Sequence, residues 1–172
     1  ENQIAMLGIG RKFQKPTVFE AQSVRENLAM ALKNPRGTFS VLFYRKSAEG
    51  AARLEQIADE INLTAHLFRP AGELSHGQKQ WLEIGLLLMQ DPELLLLDEP
   101  VAGMSARERE STADLLRSVS KGRSVILIEH DMAFVEKIAQ TVTVLHQGQM
   151  LAEGSMQHVQ NDQRVIDVYL GD

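Results

Sequence analysis

The spacing of hydrophobic positions divides the chain into two regions. From about residue 23 to residue 90, apolar residues recur at steps of three and four, as in Leu54, Ile57 and Ile61. This period predicts amphipathic helices. After Asp91 the pattern changes to short apolar runs separated by amphipathic segments, which is typical of alternating strands and helices. We therefore expect a helical region followed by an α/β region.

Several helix starts are marked by a serine with Glu or Gln three residues later, the pattern of a capping box. Three such pairs precede apolar segments: Ser23 with Glu26, Ser75 with Gln78, and Ser105 with Glu108. Ser47 precedes a further helical segment, and the run from Asn34 to Gly37 predicts a turn between helices. Asp131 is expected to cap a short helix that ends near Ile138, and a last helix is expected from about Asp162 to Leu170.

Two apolar runs in the second region predict strands. Leu94–Leu97 and Ser124–Ile128 flank the helix that begins after Ser105, so we expect a βαβ unit with parallel strands. Thr141–Leu145 and Met150–Glu153 flank Gln147-Gly148 and predict a hairpin.

Candidate chemistry follows both predicted strands. Asp98 and Glu99 come directly after Leu94–Leu97, and ligands bind at this edge of open α/β sheets. One carboxylate there can hold Mg²⁺ through water while its neighbour orients or deprotonates an attacking water. A solvated turn is the alternative, and the pair alone does not separate the two. His130 follows the second strand, and the crossover should bring it to the same edge. Without these neighbours, His130 would be interpreted as a surface residue.

A second candidate site is the helix start at Ser75. A capping box explains Ser75 and Gln78, but it leaves Gly77 unexplained, because glycine in a first helical turn weakens the helix. Such a glycine lets a phosphate approach the backbone N–H groups at the positive end of the helix dipole. Gln14 lies in a loop, where a glutamine alone indicates only polar surface.

Composition narrows the class of protein. The 172 residues are 24% charged with a net charge of −5, which argues against a nucleic-acid binder, and there is no cysteine for disulfides, thiolate metal sites or nucleophilic catalysis. The longest apolar stretch of helical character, Ile84–Met89, is too short to span a bilayer.

Taken in order, these segments resemble the ATP-binding subunits of ABC transporters, and the likeness covers essentially the whole chain. The segments that carry the resemblance are the Q-loop glutamine Gln14, the signature motif Leu74–Gln78, the Walker B strand Leu94–Glu99, the D-loop Val101–Ser105 and the switch histidine His130. The resemblance implies an α/β fold of the P-loop NTPase (ABC ATPase) type, with a partial RecA-like core at residues 1–14 and 91–172 and a helical subdomain at residues 15–90.

The resemblance also implies roles for these residues, with ATP and Mg²⁺ as cofactors. Asp98 is expected to hold the magnesium and Glu99 to act as general base on the attacking water. His130 is expected to contact the γ-phosphate. Gln14 is expected to bind the metal together with Asp98, to sense metal and water at the nucleotide, and to couple to the membrane subunits.

The signature residues are implied to act across a head-to-tail dimer. Ser75 and Gly77, with Gln78, are expected to bind the nucleotide held by the opposite ATP-binding subunit. His76 stands where the family usually has glycine, which is expected to put a side chain near that nucleotide. The other implied partners are transmembrane permease subunits and, indirectly, a solute-binding protein, on the cytoplasmic face of the membrane.

The importer subtype follows from longer runs. Ala102–Ser105, Ile128–Asp131 and Val168–Gly171 look like the importers of branched-chain amino acids and of urea. Gly8–Pro16 and Ser75–Trp81 are most similar to the urea type, so we favour urea over branched-chain amino acids. A DNA-repair or translation ATPase of the same family is a third alternative, against which count the lack of heptad arms and of a basic stripe.

The 172 residues contain no G-x-x-x-x-G-K-[ST] phosphate loop, and the chain opens at Glu1 without methionine. We expect the chain to be roughly the carboxyl-terminal two-thirds of an ATPase and to be catalytically inert by itself.

This expectation is checked by calorimetry on the 172-residue chain. Without a phosphate loop and its lysine, titration with Mg-ATP should give no saturable binding. Clear micromolar binding would contradict the expectation.

Overall fold

The computed structural model describes residues 8–12, 18–32 and 48–169. The chain forms two compact units, residues 1–129 and residues 130–172. Gln14, Ser47 and the predicted turn from Asn34 to Gly37 lie outside the described residues.

A parallel sheet forms one part of the first unit. Its strands are β1 (Ile9–Arg11), β2 (Leu94–Asp98) and β3 (Ser124–Ile128), in the order β1-β2-β3. Both pairings are parallel, and the register sets Asp98 opposite Ile128. Leu95 and Leu97 of the central strand are buried. The predicted βαβ unit is confirmed, and the chain leaves β2 at the edge where the two carboxylates were expected.

Among its described residues, the same unit has four α-helices: α1 (Val24–Met30), α2 (Ala48–Glu60), α3 (His76–Leu88) and α4 (Ala106–Val119). Short 3₁₀ helices at Thr64–His66 and Ala71–Glu73 lead into α3. The three predicted capping boxes are all present, at the starts of α1, α3 and α4. These short-range hydrogen bonds satisfy backbone N–H groups that would otherwise lack partners, so they fix where each helix begins.

Helices α1, α2 and α3 pack around one glycine. A Cβ placed on Gly85 would lie 2.6 Å from Ile61 Cδ1 and 3.1 Å from Leu28 Cδ2. Ile61 and Leu28 are fully buried, as is Ile57 on α2. A glycine at this point of α3 therefore allows the helices to approach one another closely.

A buried ion pair links the sheet to helix α3. Lys12, one residue beyond β1, donates its backbone N–H to Leu96 O at 2.9 Å, and its Nζ lies 3.7 Å from Glu83 Oε2 on α3. Both side chains are at most 5% exposed. If the two residues moved apart, each would be left as an unpaired buried charge, which is costly. The ion pair therefore keeps the end of β1 next to the middle of α3.

The second unit contains a hairpin and short helices. Its elements are α5 (Met132–Ile138), β4 (Val142–His146), β5 (Gln149–Gly154), α6 (Met156–Gln160) and α7 (Gln163–Tyr169). The hairpin turns at Gln147 and Gly148, both with positive φ, as two-residue hairpin loops require. Ala152 and Val159 form its small core with Val165.

The predicted elements of both regions are confirmed within one or two residues where they are described. Strand β1 and helix α6 were not predicted. The predicted division into residues 1–14 with 91–172 and residues 15–90 stays a prediction. In the described part of the chain, every helix is too short or too polar to span a bilayer.

The packing at Gly85 gives a test of the helical core. Gly85→Ala should raise helix propensity, yet the added methyl group would push into Ile61, and we expect a net loss of about 1–3 kcal/mol in the free energy of unfolding. Urea unfolding measures this. Gly122→Ala is the control, because nothing lies within 4 Å of a Cβ there, and a loss of equal size in the control would contradict the packing argument.

Candidate functional site

The end of β2 carries the two acidic residues in an unusual backbone conformation. Asp98 is the last residue of the strand, and Glu99 has a φ of 44°, in the left-handed region that non-glycine residues rarely adopt. The backbone N–H of Glu99 donates to Ile128 O at 2.9 Å, which ties the turn to β3. Both acidic residues are half-buried. Strain of this kind is retained where the surrounding structure holds it, and it is concentrated at functional sites.

The loop that follows is anchored by an acidic residue that the sequence analysis did not single out. The backbone N–H of Val101 donates to Glu129 Oε1 at 3.4 Å, and the backbone N–H of Ala102 donates to Glu99 O at 3.2 Å. Gly103 has a φ of 71°, which completes the turn towards α4. Glu129 directly follows β3, which pairs in parallel with β2. Its place at the same sheet edge as Asp98 is the sequence signal that could have identified it as a residue of this site.

His130 is exposed and lies two residues beyond the end of β3. It is the first residue of the second unit. Its convergence with Asp98 and Glu99 stays a prediction.

The predicted phosphate site begins with the cap of α3. Ser75 Oγ accepts a hydrogen bond from Gln78 N at 3.2 Å, and Ser75 N donates to Gln78 Oε1 at 3.0 Å. Gly77 is buried within this first turn. The capping role of Ser75 and Gln78 is confirmed.

A carboxylate occupies the space beside Gly77. Glu108 Oε1 accepts a hydrogen bond from Ser75 Oγ at 2.8 Å, and a Cβ placed on Gly77 would lie only 2.6 Å from that oxygen. The other oxygen of Glu108 accepts from Ser105 N at 3.0 Å and from Ser105 Oγ at 2.7 Å. One side chain therefore serves the N-termini of α3 and α4. From the sequence, Glu108 was expected only as part of a capping box, because its contact with Ser75 spans 33 residues and no local pattern indicates it.

These hydrogen bonds keep Glu108 ionised. The hydroxyl of Ser105 has the largest effect, followed by the backbone of Ser105 and the hydroxyl of Ser75, and together they hold the pKa of Glu108 below its usual value. Hydrogen bonds to the charged form of a carboxyl group favour that form. The group between the two helices is therefore an anion at neutral pH.

His76 makes a contact within its own chain that was not predicted. Its Nε2 lies 3.1 Å from Ala102 O, and its ring lies against Gly103, where a Cβ would be 3.4 Å away. The side chain thus links the first turn of α3 to the loop after Glu99 within the same chain. The expectation that it lies near a partner's nucleotide stays a prediction.

A buried hydrogen bond holds α3 against α4. Trp81 Nε1 donates to Thr112 Oγ1 at 2.8 Å, and that hydroxyl donates to Glu108 O at 2.8 Å. Because both residues are buried, loss of the Thr112 hydroxyl would leave the Trp81 N–H without an acceptor in the interior. The two helices that share Glu108 are therefore also fixed to each other one to two turns further along.

Comparison with known proteins decides the family. The profile of the ABC transporter family matches residues 2–102, and that of the branched-chain amino acid ATP-binding cassette transporters matches residues 149–172. The chain belongs to the ABC transporter ATP-binding family.

Curated relatives of this ABC protein align along nearly its whole length. It is 35% identical to the high-affinity branched-chain amino acid transport ATP-binding protein LivG of Escherichia coli, over 99% of this chain and 70% of LivG. It is 36% identical to the corresponding protein BraF of Pseudomonas aeruginosa, over 99% of this chain and 71% of BraF.

Solved structures show the same fold. An ATP-binding cassette of an ABC transporter superposes with a TM-score of 0.80 at 31% identity, covering 97% of this chain and 70% of the other. The ADP conformation of an ABC cassette superposes with a TM-score of 0.79 at 30% identity, covering 99% and 71%. The expected ABC ATPase fold of the P-loop NTPase type is therefore confirmed.

The donor set at β2 suits the magnesium that ABC ATPases use. Among the described residues, no group of three or more His, Cys, Asp or Glu side chains could hold a metal ion. Mg²⁺ keeps several waters and needs only one or two carboxylates beside the phosphates, so the half-buried carboxylate of Asp98 fits this chemistry. Gln14, the other expected ligand, lies outside the described residues.

The contact of His76 in this ABC protein can be tested by hydrogen exchange. His76→Ala removes the bond to Ala102 O, so the amides of Ala102 and Met104 should exchange about fivefold faster. His76→Gln should restore the original rate, because its amide can donate to the same carbonyl. Equal exchange in all three proteins would show that the contact does not hold the loop.

Proposed function

We propose that this chain works in the ATP-binding and ATP-hydrolysing subunit of an ABC importer. The observation that carries the proposal is the strained turn at Glu99. The half-buried side chain of Glu99 lies beside Asp98 at the carboxyl end of the central strand. A hydrogen bond from the backbone N–H of Glu99 to β3 holds this residue in the left-handed conformation. Family membership supports the proposal independently.

Each acid has a distinct proposed role. Asp98 binds Mg²⁺, directly or through water, and the ion neutralises charge on the phosphates when it is bound. Glu99 accepts the proton of the attacking water. His130 donates to the terminal phosphate, and Gln14 senses the metal and couples the site to membrane subunits. Glu129 holds Val101 in place and so positions the loop beside Glu99.

The first turn of α3 with its cap, Ser75–Gln78, is called the signature turn, and it acts on a second copy of the ATP-binding subunit or on a similar one. Ser75, Gly77 and Gln78 bind the phosphate of a nucleotide held by the opposite subunit, with donors at the N-terminus of the 13-residue helix α3. Hydrolysis then requires a dimer. The membrane partners are permease subunits, reached from the cytoplasmic face, and a solute-binding protein delivers the solute to them.

Branched-chain amino acids are the proposed solute. The two relatives LivG and BraF are both named for the transport of branched-chain amino acids, and the profile at residues 149–172 carries the same description. Urea, the solute favoured by sequence resemblance, finds no support in these comparisons. It remains the second candidate because of the runs Gly8–Pro16 and Ser75–Trp81.

The role of Glu99 is tested in the assembled transporter ATPase. Glu99→Gln removes the base and keeps the size of the side chain, so hydrolysis should fall at least about a hundredfold while an ATP-bound dimer still forms or accumulates. Glu136→Gln, at an exposed position on α5, is the control and should hydrolyse ATP normally. Unchanged turnover in Glu99→Gln would remove Glu99 from its proposed role.

The solute is tested by uptake into cells that depend on this gene. Cells carrying the Glu99→Gln form should lose uptake of labelled leucine and isoleucine and retain uptake of urea. Loss of urea uptake alone would replace the first candidate by the second.

A further inference from the structure

The carboxylate of Glu108 lies in the place where the signature turn has to receive a phosphate. We propose that Glu108 is an internal anion that occupies this turn and must withdraw before the turn binds a phosphate group. The inference rests on the proposed function of Ser75 and Gly77 as phosphate ligands. It adds a residue of this chain that competes with that ligand.

The hydroxyl of Ser75 makes the competition strict. A serine hydroxyl has one proton to donate, and Ser75 Oγ donates it to Glu108 Oε1 at 2.8 Å. Its acceptor side is used by Gln78 N in the cap. Ser75 can therefore donate to a phosphate only after Glu108 has released it.

Space and charge act in the same direction at Gly77. The nearest atoms to a Cβ on Gly77 would be Oε1, Cδ and Cγ of Glu108, at 2.6, 2.7 and 3.1 Å. The room that the missing side chain leaves is thus filled by the carboxyl group. A phosphate oxygen entering the same space would meet a like charge at close range, which costs free energy at partly buried sites.

The two oxygens of Glu108 have separate tasks. Oε2 accepts both hydrogen bonds from Ser105 that cap α4, whereas Oε1 accepts the bond from Ser75. The contact with Ser75 can therefore be lost while the cap of α4 keeps its acceptor. This division makes withdrawal from α3 possible without unfolding the start of α4.

Protonation does not drive the exchange at neutral pH. The pKa of Glu108 is lowered by its hydrogen bonds, so the carboxylate stays charged from neutral pH down past its ordinary value and loses these contacts only under more acidic conditions. The opposing phosphate, and not a change of pH, is the event that releases Ser75.

Glu26 provides a matched control for mutation. In the capping box of α1, Glu26 Oε2 accepts from Ser23 N at 2.8 Å and from Ser23 Oγ at 2.7 Å, nearly the geometry of Glu108 with Ser105. The capping contacts of Glu26 are confined to its own helix. Comparing Glu108→Gln with Glu26→Gln therefore separates the contact with α3 from the ordinary effect of changing a cap.

The experiment is a titration of the 172-residue chain with inorganic phosphate, followed through the NMR signals of the Gly77 and Gln78 amides. Glu108→Gln keeps the shape of the side chain and removes its charge, so phosphate should bind about tenfold more tightly than to the unmodified chain. Glu26→Gln should bind as the unmodified chain does. A second measurement is the KM for ATP of the assembled ATPase, which should fall several-fold with Glu108→Gln. This fall would show that Glu108 opposes the terminal phosphate of the nucleotide as it opposes free phosphate.

Equal phosphate affinity in the unmodified chain and in Glu108→Gln would overturn the inference. An equal gain in Glu26→Gln would also overturn it, since the effect would then come from capping. If phosphate shifts the Gly77 and Gln78 signals neither in the two variants nor in the unmodified chain, removing the charge of Glu108 does not open the turn to phosphate, and the inference is wrong. Failure of the proposed function is seen separately, in hydrolysis by Glu99→Gln.

Discussion

The carboxylate of Glu108 joins the N-termini of two helices, and the arrangement of the signature turn depends on that contact. An ionised carboxylate suits this position because helix N-termini present unpaired N–H groups and a positive dipole end. Here one group accepts from Ser75 on one helix and from Ser105 on the other. The glycine at position 77 is what lets it approach. The same features that make the turn suitable for a phosphate make it suitable for a carboxylate of the chain itself.

The second constraint is at the end of β2, where a left-handed residue follows the strand. The hydrogen bond from Glu99 to Ile128 and that from Val101 to Glu129 hold the two ends of the turn against β3 and the residue after it. His76 then connects the loop to the signature turn through Ala102 O. The acidic edge of the sheet and the first turn of α3 are therefore joined through short contacts within residues 1–129.

Local signals explain why much of this architecture could be predicted from the sequence. Capping boxes and the apolar runs of β2 and β3 depend on residues within a few positions of one another, and all were confirmed. Strand β1 spans only Ile9–Arg11 and exists through its pairing with β2, so no periodicity marks it. The contacts of Ser75 with Glu108 and of Val101 with Glu129 span 33 and 28 residues. These long-range hydrogen bonds depend on tertiary packing, so the local sequence pattern does not predict them.

The most direct test of the account is a crystal structure of the assembled ATPase, carrying Glu99→Gln and bound to ATP and Mg²⁺. Ser75 Oγ and the backbone N–H of Gly77 are expected to contact the terminal phosphate of the nucleotide on the opposite subunit. Glu108 Oε1 should have left Ser75, while Oε2 or its equivalent remains on Ser105. A structure with the nucleotide bound and Ser75 still donating to Glu108 would contradict it.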